Sequence, residues 1–205
     1  MDTGITVTGT GQAAAPADLL RLSLGVGHDA ANVDRAVAAV AERTDAVTAA
    51  LREQGVAADD IRTSSVNVYP QYGNSMQVVG YRASHSLTVS TTDLAGFGGL
   101  LKAAIDAAGN DLSVEQLTFD VTDKAPLLAQ ARQAAFADAR EKAEQLARLA
   151  GRPLGGIEAV EETYGGHHPI AHMAVKADAA FGPELAVTPG EQSIEASLTV
   201  RWSWA

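Results

Sequence analysis

One order of segments occurs twice along this chain and constrains its fold more than any other feature. A helical pattern is followed by a glycine, a strand pattern with a tyrosine near its end, a long loop and a strand containing Ser-Leu-Thr-Val. The first copy runs from Leu51 to Val89, and the second runs from Leu146 to Val200. The sequence therefore predicts an α+β fold built from a duplicated unit of antiparallel sheet with helices packed on it.

The spacing of apolar residues predicts where the individual elements lie. Alternation with a period of two predicts strands at 5–8, 20–26, 61–70, 78–90, 112–121, 156–163 and 191–204. Four-three spacing predicts helices at 33–51, 94–108 and 123–150, the first with Asn32 as N-cap and Gly55 as its stop. We expect Gly9–Pro16, which is rich in turn residues, to form the turn between the first two strands.

The chain length of 205 residues suits one domain of ordinary size. We expect a single domain over residues 1–205. The alternative is two lobes within it, one of about 1–91 with the C-terminal strands and one of 92–163. A stretch rich in Gly, His and Pro, residues 164–190, precedes the final strand.

Charge and composition exclude several classes of function. The chain has 25 acidic and 15 basic residues, a net charge of −10, and no cysteine. Such a field repels phosphate, so we expect no nucleic-acid partner, and thiol chemistry and cysteine-ligated metals are excluded. No apolar run approaches the roughly 20 residues that span a bilayer, so no membrane span is expected. The first residues show no leader pattern, so we expect a cytoplasmic protein, or a periplasmic or secreted one if a signal was removed.

The segment Gly25–Ala30 has the GxGxxA form of a dinucleotide-binding turn between a strand and a helix. That fingerprint also requires an acidic residue at the end of the second strand, which here ends at Pro70-Gln71. The next strand is predicted to return as a hairpin instead of through a crossover helix. We therefore favour a tight strand-to-helix turn, and a nucleotide-binding enzyme is the third hypothesis for this chain.

Three of the five histidines, His167, His168 and His172, lie within six residues of one another. Imidazoles near the carboxylates of Glu161, Glu162 and Asp178 are ligand types that suit zinc, nickel or copper. No helical spacing fixes the geometry of these histidines, so a surface loop without metal is favoured. A metal- or small-molecule-binding protein that uses the His167–His172 loop is the second hypothesis.

Two further features near the C-terminus have a structural and a functional interpretation. Acidic residues gather between Arg152 and Glu195; a solubilising surface is favoured, and a face that meets cations or a basic partner is the alternative. Trp202 and Trp204 share one face of the last strand. We expect them to cover the edge of the core, and stacking on a ligand or partner is the alternative.

The order of these segments resembles the SIMPL-domain family over nearly the whole chain. The resemblance is carried by Ile5–Gly11, by the block Gly55–Pro70, by the strand start Gly80–Ala83, and by the long helix that ends before Gly151–Gly155.

The resemblance implies an exported, self-assembling α+β protein linked to oxidative-stress defence, without an accepted enzymatic activity, a catalytic motif or a cofactor. The first hypothesis is therefore a non-enzymatic protein that acts by forming homo-oligomers or by binding a protein partner, in envelope or oxidative-stress defence. Unpaired strand edges at Ile5 and Trp204 are the places where we expect subunits to join.

Overall fold

A computed structural model describes residues 4–163 and 189–205 of the chain. Within these ranges it contains three helices and two antiparallel sheets, which confirms the α+β class. The elements in chain order are β1 (Gly4–Pro16), β2 (Leu19–Ala30), α1 (Val33–Glu53), β3 (Ile61–Tyr72), β4 (Val78–Thr91), α2 (Phe97–Ala108), β5 (Leu112–Asp120), α3 (Ala125–Leu149), β6 (Leu154–Thr163) and β7 (Glu191–Trp204).

The described residues form two compact units. The first unit takes 4–17, 121–163 and 190–205, and the second takes 18–120 together with 189. The expected lobes were 1–91 with the C-terminal strands, and 92–163, and the bounds of the two units differ from these. β1 pairs with β7 and so belongs to the first unit, whereas β5 pairs with β2 and so belongs to the second. A single domain over residues 1–205 stays a prediction.

Each unit contains the same strand–helix–strand–strand motif, which confirms the duplication. The first sheet has the order β1-β7-β6, and the second has the order β3-β4-β2-β5. In both, the last strand of the motif lies between the other two. The two Ser-Leu-Thr-Val segments occupy equivalent places, since Val200 lies opposite Val7 and Val89 lies opposite Leu22.

Helices α1 and α2 cover one face of the second sheet. The core beneath them contains fully buried residues of β2, α1 and β4, joined by residues of α2: Leu20, Leu22, Leu24, Val26, Val47, Leu51, Val89, Phe97 and Leu100. The predicted caps of α1 are confirmed. Asn32 Oδ1 accepts a hydrogen bond of 3.2 Å from the backbone N–H of Arg35, and Gly55 follows the helix with a φ of +92°.

Helix α3 packs on the first sheet through a stripe of alanines, namely Ala131, Ala135, Ala139, Ala143 and Ala147. A Cβ on Gly9 would overlap the carbonyl oxygen of Ala135, and one on Gly11 would overlap that of Ala131. The prediction of a turn at Gly9–Pro16 is therefore wrong. These glycines belong to β1, which stays in register with β7 as far as Pro16, and they let the helix backbone approach the strand.

The expected subunit edge at Trp204 is also wrong, because β7 is the central strand of its sheet. Gly4 of β1 pairs with Ser203, and Leu154 of β6 pairs with Trp204. Trp202 is buried among the alanines of α3, and the Arg152 guanidinium lies 5.1 Å from the centre of the Trp204 ring. Both tryptophans thus complete the core of the first unit, as favoured from the sequence.

Candidate functional site

The segment Gly25–Ala30 lies wholly within β2 and is paired with β4, so its interpretation as a strand-to-helix turn is wrong. Helix α1 begins only at Val33. A Cβ on Gly25 would lie 2.5 Å from Glu115 Oε1, and one on Gly27 would lie 3.0 Å from Arg82 Nη2. The glycines therefore make room for neighbouring polar side chains, and the segment places no helix N-terminus where a pyrophosphate would bind.

Those polar side chains form pairs on the face of the second sheet that lies opposite α1 and α2. Ser86 Oγ donates a hydrogen bond of 2.8 Å to Glu115 Oε1. Arg82 Nη1 lies 3.1 Å from each carboxylate oxygen of Asp29. The first pair joins β4 to β5 across Gly25 of β2, and the second joins the neighbouring strands β2 and β4. Both pairs lie within one sheet, so we assign them a role in the structure of the second unit.

His167, His168 and His172 lie outside the described residues, as does Asp178. In residues 4–163 and 189–205, no group of three or more His, Asp or Glu side chains is placed to hold a metal ion. The metal site at the three histidines stays a prediction. In the same described ranges, no helix is long and apolar enough to cross a bilayer.

Two of the acidic residues near the C-terminus are paired with arginines of their own unit. Arg132 donates hydrogen bonds of 2.7 and 2.9 Å to the two carboxylate oxygens of Glu162, and this contact holds the pKa of Glu162 below its ordinary value. Glu158 lies 2.9 Å from Arg201. This pairing supports the interpretation of the acidic segment as an ordinary charged surface.

One polar cluster in the second unit is not evident from the sequence. His28 Nδ1 lies 3.0 Å from Asp111 Oδ2, and Arg43 of α1 contacts the same oxygen. His28 and Asp111 are 83 residues apart in the chain, so no local spacing reveals their contact. The cluster ties α1 to β2 and to the turn before β5.

The β3–β4 hairpin carries a second feature that was not predicted, a stretch of chain without charge. From Thr63 to Tyr81 the chain has no Asp, Glu, Lys, Arg or His. We call these 19 residues the uncharged hairpin. Seven of the 15 large hydrophobic side chains that are exposed in the described residues belong to it: Val66, Val68, Tyr69, Tyr72, Met76, Val78 and Val79.

The position of α1 explains why these side chains are exposed. The helix packs on β2 and β4 and barely reaches β3. Ala83 of β4 is therefore buried against Ala36 and Val40, whereas its cross-strand neighbour Val68 lies beyond the helix. At the tip, Met76 has a φ of +55° and is 85% exposed. Exposed apolar side chains gathered on one hairpin make it a candidate interaction site.

Within the described residues, the uncharged hairpin also includes an unpaired strand edge, the outer side of β3. Of the four edge strands in the described sheets, β5 carries Glu115 and Asp120, and β6 carries Glu158, Glu161 and Glu162. β1 has no charge of its own, but Asp138 and Lys142 of α3 bind its backbone at Thr10 and Thr8. From Thr63 to its end at Tyr72, β3 has neither a charge nor such a contact, although a bulge at Thr63–Ser65 and Pro70 limit its regular edge to residues 65–69. Charged residues on an edge hinder pairing with another chain, so β3 is the edge best suited to it.

Comparison with known proteins finds a match along nearly the whole chain. The family model SIMPL, described as a protein of unknown function (DUF541), matches residues 5–202. The chain is 30% identical over 208 residues to the 26 kDa periplasmic immunogenic protein of Brucella melitensis biotype 1, covering 96% of this chain and 82% of that protein. It is 27% identical over 181 residues to the uncharacterized protein YggE of Escherichia coli strain K12, covering 86% and 72%.

Similarity to solved structures is much weaker. The structure of AtUAH in complex with (S)-hydroxyglycine matches with a TM-score of 0.29 and 16% identity, over 63% of this chain and 34% of that one. Because this chain spans about a third of that protein at so low a TM-score, the likeness carries no argument about fold or activity. The family model, in contrast, spans all ten elements of the fold. The chain therefore belongs to the SIMPL family.

Proposed function

We propose that this chain is a non-enzymatic periplasmic protein that acts by self-assembly or by binding a protein partner, and that the uncharged hairpin is its working surface. The observation that carries the proposal is the outer edge of β3, which pairs with no other strand in the part of the chain that the structure describes, is uncharged from Thr63 to Tyr72 and is flanked by exposed apolar side chains. Burial of such side chains in a contact stabilises it by about 25 cal/mol per Å² of apolar surface.

The periplasmic part of the proposal is supported by the relatives from Brucella, which are named as periplasmic proteins. The non-enzymatic part is supported by the same names, which state no reaction, and by the structural contacts made by Gly25 and Gly27. A role in envelope or oxidative-stress defence, implied by the family resemblance, belongs to the proposal too.

The proposal is tested by placing a photoreactive p-benzoylphenylalanine at Tyr72 and irradiating the cells that produce the protein. The matched control is Leu149 at the end of α3, an exposed apolar side chain outside the hairpin. We expect discrete crosslinked products from position 72, to this chain or to another protein, and none from position 149. Absence of any product from position 72 would contradict the proposal.

A further inference from the structure

We infer that the partner of the uncharged hairpin is a second copy of this chain, joined by antiparallel pairing of two β3 edges about a two-fold axis at Asn67. This inference rests on the proposed function, because it names the partner of the same surface. It is narrower, since the proposed function also allows a different protein to bind there.

Charge favours a second copy at this place. The chain has a net charge of −10, so two copies repel each other over most of their surfaces. The repulsion is smallest where both contribute residues without charge. A two-fold contact brings the same patch of each copy together, so an uncharged patch meets another uncharged patch and no charge is desolvated.

The backbone of β3 supplies the bonds for such a contact. Among residues 4–163 and 189–205, β3 is paired with β4 on one side only, so alternate N–H and C=O groups on the outer side of residues 65–69 are available for an added strand. Pairing of edges extends the sheet of one copy into that of the other. Asp138 and Lys142 already bind the outer side of β1, which leaves β3 as the better edge.

The sequence of β3 favours one register. With the axis at Asn67, Val66 lies opposite the partner's Val68 on the side of the sheet that α1 covers only in part. Residues 65–69 of each copy then pair, between the bulge at Thr63–Ser65 and Pro70, which has no N–H, and this stretch contains no charge. An axis at Val66 would place Val68 opposite the partner's Ser64. Apolar cross-strand pairs stabilise a sheet more than an apolar–polar pair does.

The absence of cysteine makes disulfide trapping a direct test. Asn67→Cys places two thiols across the proposed axis, and a mixture of Val66→Cys and Val68→Cys chains places them on directly opposed residues. Gln116→Cys on β5, the other edge of the same sheet and an exposed position, is the control. All variants are oxidised with copper phenanthroline at the same protein concentration, and their masses are measured before and after.

We expect most of the Asn67→Cys chains, and of the mixed chains, to become disulfide-linked dimers while Gln116→Cys stays unlinked. An oligomer that forms without linkage at Asn67 or in the mixture would overturn the β3 pairing and leave self-assembly intact. A chain that stays monomeric and forms no disulfide-linked dimer would show that a second copy is not the partner. In that case, a photocrosslink from position 72 to another protein would still support the proposed function.

Discussion

The backbone N–H of Thr10 donates a hydrogen bond of 2.7 Å to the carboxylate of Asp138, so a side chain of α3 binds the outer edge of β1. Lys142, one helical turn further on, donates to the carbonyl oxygen of Thr8 at 3.2 Å and also to Asp138 at 2.7 Å. These contacts occupy the outer edge of β1 at Thr8 and Thr10, on the strand whose edge at Ile5 is a candidate for assembly from the sequence. We therefore expect subunits to join at the edge of β3 and not at the edge of β1.

The same contacts predict an acid-sensitive contribution to stability. The Lys142 ammonium and the Thr10 N–H hold the pKa of Asp138 below its ordinary value of 3.8. A carboxyl whose pKa is lower in the folded state contributes stability that is fully present above its unfolded pKa and lost as pH falls through its folded pKa. We expect Asp138→Asn to lower the free energy of unfolding near neutral pH and to match the wild type at the lowest pH.

This prediction is checked by urea unfolding at a series of pH values between neutrality and strong acid. Glu141→Gln, an exposed carboxyl on the same helix, is the control and should follow the wild-type pH dependence. A constant difference between Asp138→Asn and the wild type at every pH would show that the loss does not come from the ionised carboxylate.

The close approach of α3 to β1 predicts a large effect of one methyl group. Gly9→Ala should lower the free energy of unfolding by about 1–3 kcal/mol or more, because the new Cβ would meet helix backbone that has no room to move. Gly156→Ala on β6 is the control, since a Cβ there has no atom within 4 Å. Equal stability of the two variants in chemical denaturation would disprove the packing argument.

The contacts of β2 predict how the GxGxxA segment responds to nucleotides. A nucleotide that binds the folded state would raise the melting temperature. Because Gly25–Ala30 is part of a paired strand, we expect millimolar NAD or ATP to leave the melting temperature of the wild type unchanged. Gly25→Ala, which displaces Glu115 and Ser113, should lower the melting temperature without any nucleotide. A rise with NAD that Gly25→Ala abolishes would restore the nucleotide hypothesis.

The hypothesis that His167, His168 and His172 bind a metal can be tested without reference to the fold. The assembly proposal expects no divalent metal in the purified protein and no thermal shift with zinc, nickel or copper. One metal ion per chain, lost when all three histidines become alanine, would instead establish the second hypothesis.

Much of the fold was predictable because its determinants are local. The period of two in β2, the Asn32 cap and the repeated Ser-Leu-Thr-Val segments indicate elements and duplication without reference to distant residues. Gly9 and Gly25 misled the analysis for a physical reason. Each glycine makes room for a neighbour far away in the chain, α3 in one case and Glu115 in the other, and not for a turn.

The site was less predictable, because its exposure depends on the packing of α1. The lack of charge from Thr63 to Tyr81 was visible in the sequence. The sheet order β3-β4-β2-β5 makes β3 an edge strand. The packing of α1 on β2 and β4 leaves Val68 beyond the helix. Neither fact is visible in the sequence. The contact of His28 with Asp111 likewise depends on long-range packing.

The most direct test of the account is the mass of the chain in solution, measured by light scattering behind a sizing column at several concentrations. The account predicts an oligomer for the wild type and a monomer near 21.2 kDa for Val66→Asp, which places a charge on the edge of β3. Val114→Asp on β5, which is also exposed, should keep the wild-type mass. A wild type near 21.2 kDa at every concentration, or a Val66→Asp variant that still assembles, would contradict it.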